Sequence, residues 1–149
     1  MPTMPTHQDS ALDKFASGYN CAQAVLFAFA PELGVDPDTA LRLACGFGGG
    51  IARRQEVCGA VSGGVLAIGL KHGRGEGQDK ALTADTYARV RELLSSFETV
   101  HGTHVCRELL GGCDLATPEG QQQFHGSDLP TRICQPCVKT VVAALERLL

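Results

Sequence analysis

Several absences bound this chain before any motif is read. It has no surplus of positive charge: 13 Lys and Arg stand against 16 Asp and Glu, for a net charge of −3. That excludes the basic footprint of a nucleic-acid binder. It has no long hydrophobic run. The most apolar stretch, Val57 to Leu70, falls short of the roughly 18 residues a membrane span needs and is interrupted by glycine. The start, Met1 to Gln8, has neither a positively charged region nor an apolar one, so no secretory leader is expected there. Residues 1–8 are expected to form a flexible lead-in, residues 9–149 one domain, and the cytoplasm is the expected location. No Ser/His/Asp order and no paired-carboxylate motif stands out, and the scattered carboxylates suit solvated faces. Nucleotide binding finds no support either. Neither Gly46-Phe47-Gly48 nor Gly73-Arg74-Gly75 completes GxGxxG, because Ile51 and Gln78 occupy the last glycine positions. No strand precedes either run, and there is no Walker lysine.

What the chain does have is cysteine. There are seven in 149 residues. A single domain of this size buries about two-thirds of its unfolded surface and needs no disulfide staples. A reducing compartment would not keep them, and an odd count cannot be fully paired within one chain. Metal binding, redox activity or plain core packing are the readings left.

The pattern is helical throughout, with no convincing strand and no internal repeat. The expected architecture is all-α, a compact bundle of about five to seven helices around a glycine-rich central helix. That helix is Val57 to Leu70, with Cys58 at its front and apolar residues all round. Gly59, Gly63, Gly64 and Gly69 would each cost about 1 kcal/mol against Ala inside it. Gly59 and Gly63 share a face, so a second backbone can press close there, either within the chain or across a homodimer. Around it, Asp9 to Ser17 predicts a short helix. Asn20 caps Cys21 to Ala30, and Asp36-Pro37 opens a helix that stops at Cys45-Gly46. Phe47 to Gly50 forms a mobile or tightly turned loop. Ala81 to Val100 is amphipathic, with Leu82, Tyr87, Val90, Leu94, Phe97 and Val100 inward. Thr103 caps His104 to Leu110, Asp114 to Leu129 is a polar loop, and Val138 to Leu149 closes the chain.

Cys21, Cys58, Cys106 and the pair Cys134/Cys137 each precede or begin a helix, where free N–H groups and the positive end of the dipole favour a thiolate. A thiol of pKa about 8.5 is only about 3% ionised at pH 7. The dipole contributes about 0.3–1 kcal/mol and at most about 2, which barely reaches half ionisation. A cation or a metal must do the rest. Arg107 beside Cys106, Arg132 near Cys134, and Arg53 and Arg54 before Cys58 are candidates. Cys45 is expected in the core. His101-x-x-His104-x-Cys106 with Cys113 offers a zinc donor set, although Gly102 breaks the helix between the histidines. Lys71 and His72 suit the negative end of the central helix, so His72 needs no ligand role. Cys134-x-x-Cys137 has redox spacing but lacks the strand–helix setting of thioredoxin-type sites.

Taken in order, Gly18-Tyr19-Asn20-Cys21-Ala22-Gln23-Ala24-Val25, Gly48-Gly49-Gly50, Cys58-Gly59-Ala60-Val61-Ser62-Gly63-Gly64, Cys106-Arg107-Glu108-Leu109-Leu110-Gly111 and Cys134 with Val138 resemble the C_GCAxxG_C_C family. These are small bacterial and archaeal proteins described as redox-active and named for their cysteines. The resemblance covers roughly Gly18 to Leu149. It implies that Cys21, Cys58, Cys106 and Cys134 are the family cysteines, and that Cys45, Cys113 and Cys137 are additional. The family name writes Gly-Cys-Ala, whereas Val57 precedes Cys58 here and Gly59 follows it.

Three functions compete. The first is a cysteine-based redox or electron-transfer protein, a thiol oxidoreductase or the carrier of an iron–sulfur cluster. Cys21, Cys58, Cys106 and Cys134 then serve as catalytic thiols or cluster ligands, with Cys137 as a further ligand. In the thiol version Cys58 is the expected nucleophile and Cys21 or Cys106 resolves, with a redox protein as partner. The second is a structural zinc module using the same ligands. The third is a helical interaction protein with incidental cysteines.

Overall fold

The computed structural model describes residues 3–149. It is all-α, with helices α1 His7–Ala16, α2 Cys21–Phe29, α3 Pro37–Ala44, α4 Gly59–His72, α5 Ala81–His101, α6 Cys106–Leu109, α7 Pro118–Gly126 and α8 Gln135–Leu148. A 3-10 turn at Cys45–Phe47 and a π-helical turn at Pro130–Cys134 complete the order. Among the described residues there is no strand, only an isolated antiparallel bridge between Val57 and Val105.

α4 is the centre of the bundle and packs against α2, α5 and α8, while α1 covers α2 and α8. It starts two residues later than the apolar run. Cys58 is its N-cap, and Val57 lies outside in the bridge to Val105. The glycine stripe is used inside the chain. A Cβ on Gly63 would stand 2.7 Å from the Ala22 carbonyl oxygen, and one on Gly59 would stand 3.1 Å from the Phe47 oxygen. The backbone of α2 therefore lies against α4 with no room for a side chain between. Gly64 faces Leu93 and Val141, whereas Gly69 faces open space. Leu70 emerges into solvent, so α4 is not covered along its whole length. His72 and Arg89 both meet the Leu148 carbonyl, at 3.1 and 2.8 Å, and tie the end of α8 to α4 and α5.

Three other expectations need correction. α1 begins at His7 because Thr6 and Asp9 form a capping box, so His7 and Gln8 belong to its first turn. On α5 the buried row is Leu93 and Phe97, four apart, while Tyr87 and Val100 are exposed. Tyr87 is turned about 120° from Leu93 around the helix, and Val100 lies in the last turn. The expected loop after Asp114 contains α7, capped by Thr117 with Pro118 in its first turn.

Candidate functional site

The fronts of α2, α4, α6 and α8 meet on one side of the bundle, and each is fixed by a different local device. At α2, the Asn20 side chain accepts from the Gln23 N–H at 2.9 Å, and Gln23 returns the bond to the Asn20 N–H. Asn20 Nδ2 also donates to the Cys45 carbonyl at 3.0 Å. This cap holds Cys21 in the first turn.

The glycine-rich segment then does something the sequence did not suggest. Gly49, Gly50, Ile51, Ala52, Arg53 and Gln55 all have positive φ, between 51° and 69°. This is a left-handed turn, costing roughly 1–2 kcal/mol at each non-glycine residue. Backbone bonds close it, among them Arg53 N–H to the Gly48 oxygen at 3.1 Å and Glu56 N–H to the Gly50 oxygen at 2.9 Å. The buried Gln55 side chain anchors it, donating to the Cys113 carbonyl at 2.6 Å and accepting from the Leu115 N–H at 3.0 Å. Gly50 sits where a Cβ would fall 2.8 Å from the Cys106 Cβ.

Leaving the turn, the chain runs beside the entrance to α6. The Cys58 N–H donates to the His104 carbonyl at 2.8 Å, and the Cys106 N–H donates to the Glu56 carbonyl at 2.6 Å. Cys58 and Cys106 are thereby set side by side. The π-helical turn and the head of α8 bring Cys134 and Cys137 to the same place. A cavity of about 970 Å³ is bordered by Cys21, Cys58, Cys106, Cys134 and Cys137, with Cys45 at its edge.

The cysteines lie as neighbours in pairs, Cys137 beside Cys58 and Cys134 beside Cys21. All seven cysteines are free thiols. The Cys58 thiol is held below its ordinary pKa, first by Cys137 and then by the backbone N–H groups of Ala60 and Val61, against the opposing effect of burial. Cys137 is pushed up by Cys58, by burial and by the neighbouring sulfurs. Cys21 is pushed up by Cys134, by desolvation and by the charge of the nearby thiols. Cys106 is pushed up to about 12 by burial and by Cys58 and Cys134, which outweigh the cation of Arg107. A helix front therefore does not by itself make a thiolate here. Crowded sulfurs share one environment, so the negative charge is favoured at Cys58 and opposed at Cys21, Cys106 and Cys137.

Of the arginines expected to assist, Arg53 lines the cavity, while Arg107 and Arg132 bond backbone carbonyls. Arg107 donates to the Arg54 carbonyl at 3.1 Å, and Arg132 donates to the Ser127 carbonyl at 3.1 Å. Cys45 is exposed rather than core. Cys113 is buried and donates to the Gly120 carbonyl at 3.1 Å. The His101/His104/Cys106/Cys113 zinc set is not assembled. His101 bonds Thr140 at 2.8 Å, and His104 bonds Glu98 at 2.7 Å. Among the described residues no group of three or more His, Cys, Asp or Glu side chains is arranged to hold a metal ion.

A family model described as "Putative redox-active protein (C_GCAxxG_C_C)" matches residues 19–148, nearly the whole chain. The chain belongs to the C_GCAxxG_C_C family. No curated protein and no solved structure matches it. In this C_GCAxxG_C_C protein, the four cysteines that resemble the family's own all border the one cavity. Cys137, an additional cysteine by that resemblance, is the neighbour of Cys58. Its spacing from Cys134, three residues on a helix, was the signal that could have placed it there.

Proposed function

We propose that this protein is a thiol–disulfide redox protein in which Cys58 attacks and Cys137 resolves. The observation that carries the reading is the Cys58–Cys137 pair, where one sulfur is favoured as thiolate and the other kept as thiol. The Cys58 thiolate attacks one sulfur of a substrate disulfide. The substrate S–S bond breaks, a mixed disulfide forms, and the departing thiolate takes a proton from water. Cys58 is then no longer charged, so the largest of the influences that kept Cys137 protonated is gone. Cys137 loses its proton and attacks the Cys58 sulfur. A Cys58–Cys137 disulfide forms and the second half of the substrate leaves as a thiolate, which is protonated. The substrate has gained two electrons and the protein has lost them. A partner dithiol returns the protein to its starting state by the reverse exchange.

The cysteines around the cavity are also the residues that would hold an iron–sulfur cluster or zinc. Their engagement as thiol pairs, rather than as a ligand set, favours the dithiol reading. The test is peptide mapping after oxidation of the full chain by a small disulfide, with iron, zinc and sulfide content measured on protein purified without oxygen. A Cys58–Cys137 crosslink, lost turnover in Cys58→Ser and no stoichiometric metal support the reading. Iron with sulfide would move Cys21, Cys58, Cys106 and Cys134 to ligand roles. Zinc alone would favour a structural module, and unchanged behaviour in Cys58→Ser would leave a helical interaction protein.

A further inference from the structure

We infer that Cys21 and Cys134 form a second dithiol, which takes over the disulfide from Cys58 and Cys137 through the one-turn step between Cys134 and Cys137. This rests on the dithiol reading above and extends it from one pair to a relay of four sulfurs. The geometry is a chain of neighbours. Cys58 lies beside Cys137 and Cys134 beside Cys21, and a Cβ on Gly59, the residue after Cys58, would stand 3.4 Å from the Cys21 Cβ. Cys134 ends the π-helical turn and Cys137 lies in the first turn of α8, three residues on. All four border the same cavity. Their exposure differs in a useful way. Cys58 and Cys137 are 6% and 1% exposed, whereas Cys21 and Cys134 are partly open to solvent. A disulfide formed on the inner pair at the cavity wall thus has a path to the outer pair, the more open of the two to a partner dithiol.

The exchange balances without an outside reagent. Cys134, as thiolate, attacks the Cys137 sulfur of the Cys58–Cys137 disulfide. The Cys134–Cys137 bond forms, and Cys58 leaves as the thiolate that the front of α4 favours. Cys21 then gives up its proton and attacks the Cys134 sulfur. The Cys21–Cys134 bond forms, and Cys137 leaves and is protonated. Two thiols and one disulfide have changed places, with the same electron count. Release of Cys58, the sulfur at the front of α4, drives the first exchange.

The test uses full-length reduced protein and dithiodipyridine, which releases one thiopyridone as a protein thiol attacks it and a second as the protein disulfide closes. Samples are quenched in acid, alkylated and mapped by mass spectrometry. With one equivalent of oxidant, the Cys58–Cys137 link forms first and is replaced by Cys21–Cys134. In Cys134→Ser, and in Cys134→Ala as a second variant of different polarity, the Cys58–Cys137 link persists. In Cys58→Ser/Cys137→Ser, closure of Cys21–Cys134 slows by about tenfold or more, because its thiols lack the low-pKa entry sulfur. A Cys58–Cys137 link that persists in the unsubstituted protein overturns the relay and leaves the dithiol function standing. Equal closure rates of Cys21–Cys134 with and without the inner pair also overturn it. If no Cys58–Cys137 link forms in any protein, including the Cys134 variants, the underlying function falls with it.

Discussion

Cys58 and Cys106 both stand at helix fronts, yet their thiols are driven in opposite directions. Position in the sequence made them look alike. The difference lies in what surrounds each sulfur: a neighbouring thiol and the front of α4 at Cys58, burial and other sulfurs at Cys106. Removing the neighbouring thiol should therefore matter. Cys137→Ala is expected to raise the Cys58 pKa toward the ordinary thiol value of about 8.5, read as an upward shift in the pH midpoint of its alkylation. Cys106 gives a stability prediction with a definite sign. Its folded pKa, about 12, exceeds the unfolded value, so its contribution is fully present below pH about 8.5 and is lost as pH rises toward the folded value. Urea midpoints should fall over that alkaline window, and fall less steeply in Cys106→Ala, after allowing for the lost packing.

At the scale of elements, composition and caps located most helices. Asn20, Asp36 and Gly102 mark their boundaries as the residue types suggest. α7 was obscured because its outer face is polar and only Gly120 is buried on it, so no apolar periodicity declared it. The left-handed turn was illegible for a different reason. Ile51, Ala52 and Arg53 have no intrinsic preference for positive φ, and what holds them there is Gln55 reaching the distant Cys113 and Leu115. Such strain is characteristic of segments that position a site. Ala52 is exposed at φ 51°, so Ala52→Gly is expected to stabilise by up to about 1 kcal/mol, the strain relieved less the added unfolded-state freedom. Equilibrium unfolding in urea checks this. The α4 stripe divides its glycines equally sharply. Gly69→Ala, with nothing nearby, should stabilise by about 0.5–1 kcal/mol. Gly63→Ala, against the Ala22 carbonyl, should destabilise by about 1–3 kcal/mol and lower the thermal midpoint.

On the scale of the whole molecule, the all-α class and the central helix were legible because they rest on local periodicity. Convergence of the cysteines was not, since their spacings along the chain say nothing of distance. It depends on α2 lying against Gly59 and Gly63, on the Val57–Val105 bridge, and on the π-helical turn that presents α8. Those three features, widely separated in sequence, bring Cys21, Cys58, Cys106, Cys134 and Cys137 around one cavity. Among the described residues no helix is long and apolar enough to cross a membrane.

The most direct measurement is the alkylation rate of each cysteine in the reduced protein by iodoacetamide, resolved by mass spectrometry as a function of pH. The account predicts that Cys58 reacts with a midpoint below the ordinary thiol value of about 8.5, while Cys21, Cys106 and Cys137 have midpoints above it. A Cys58 midpoint at or above that value, with any of the other three ionising first, would contradict it.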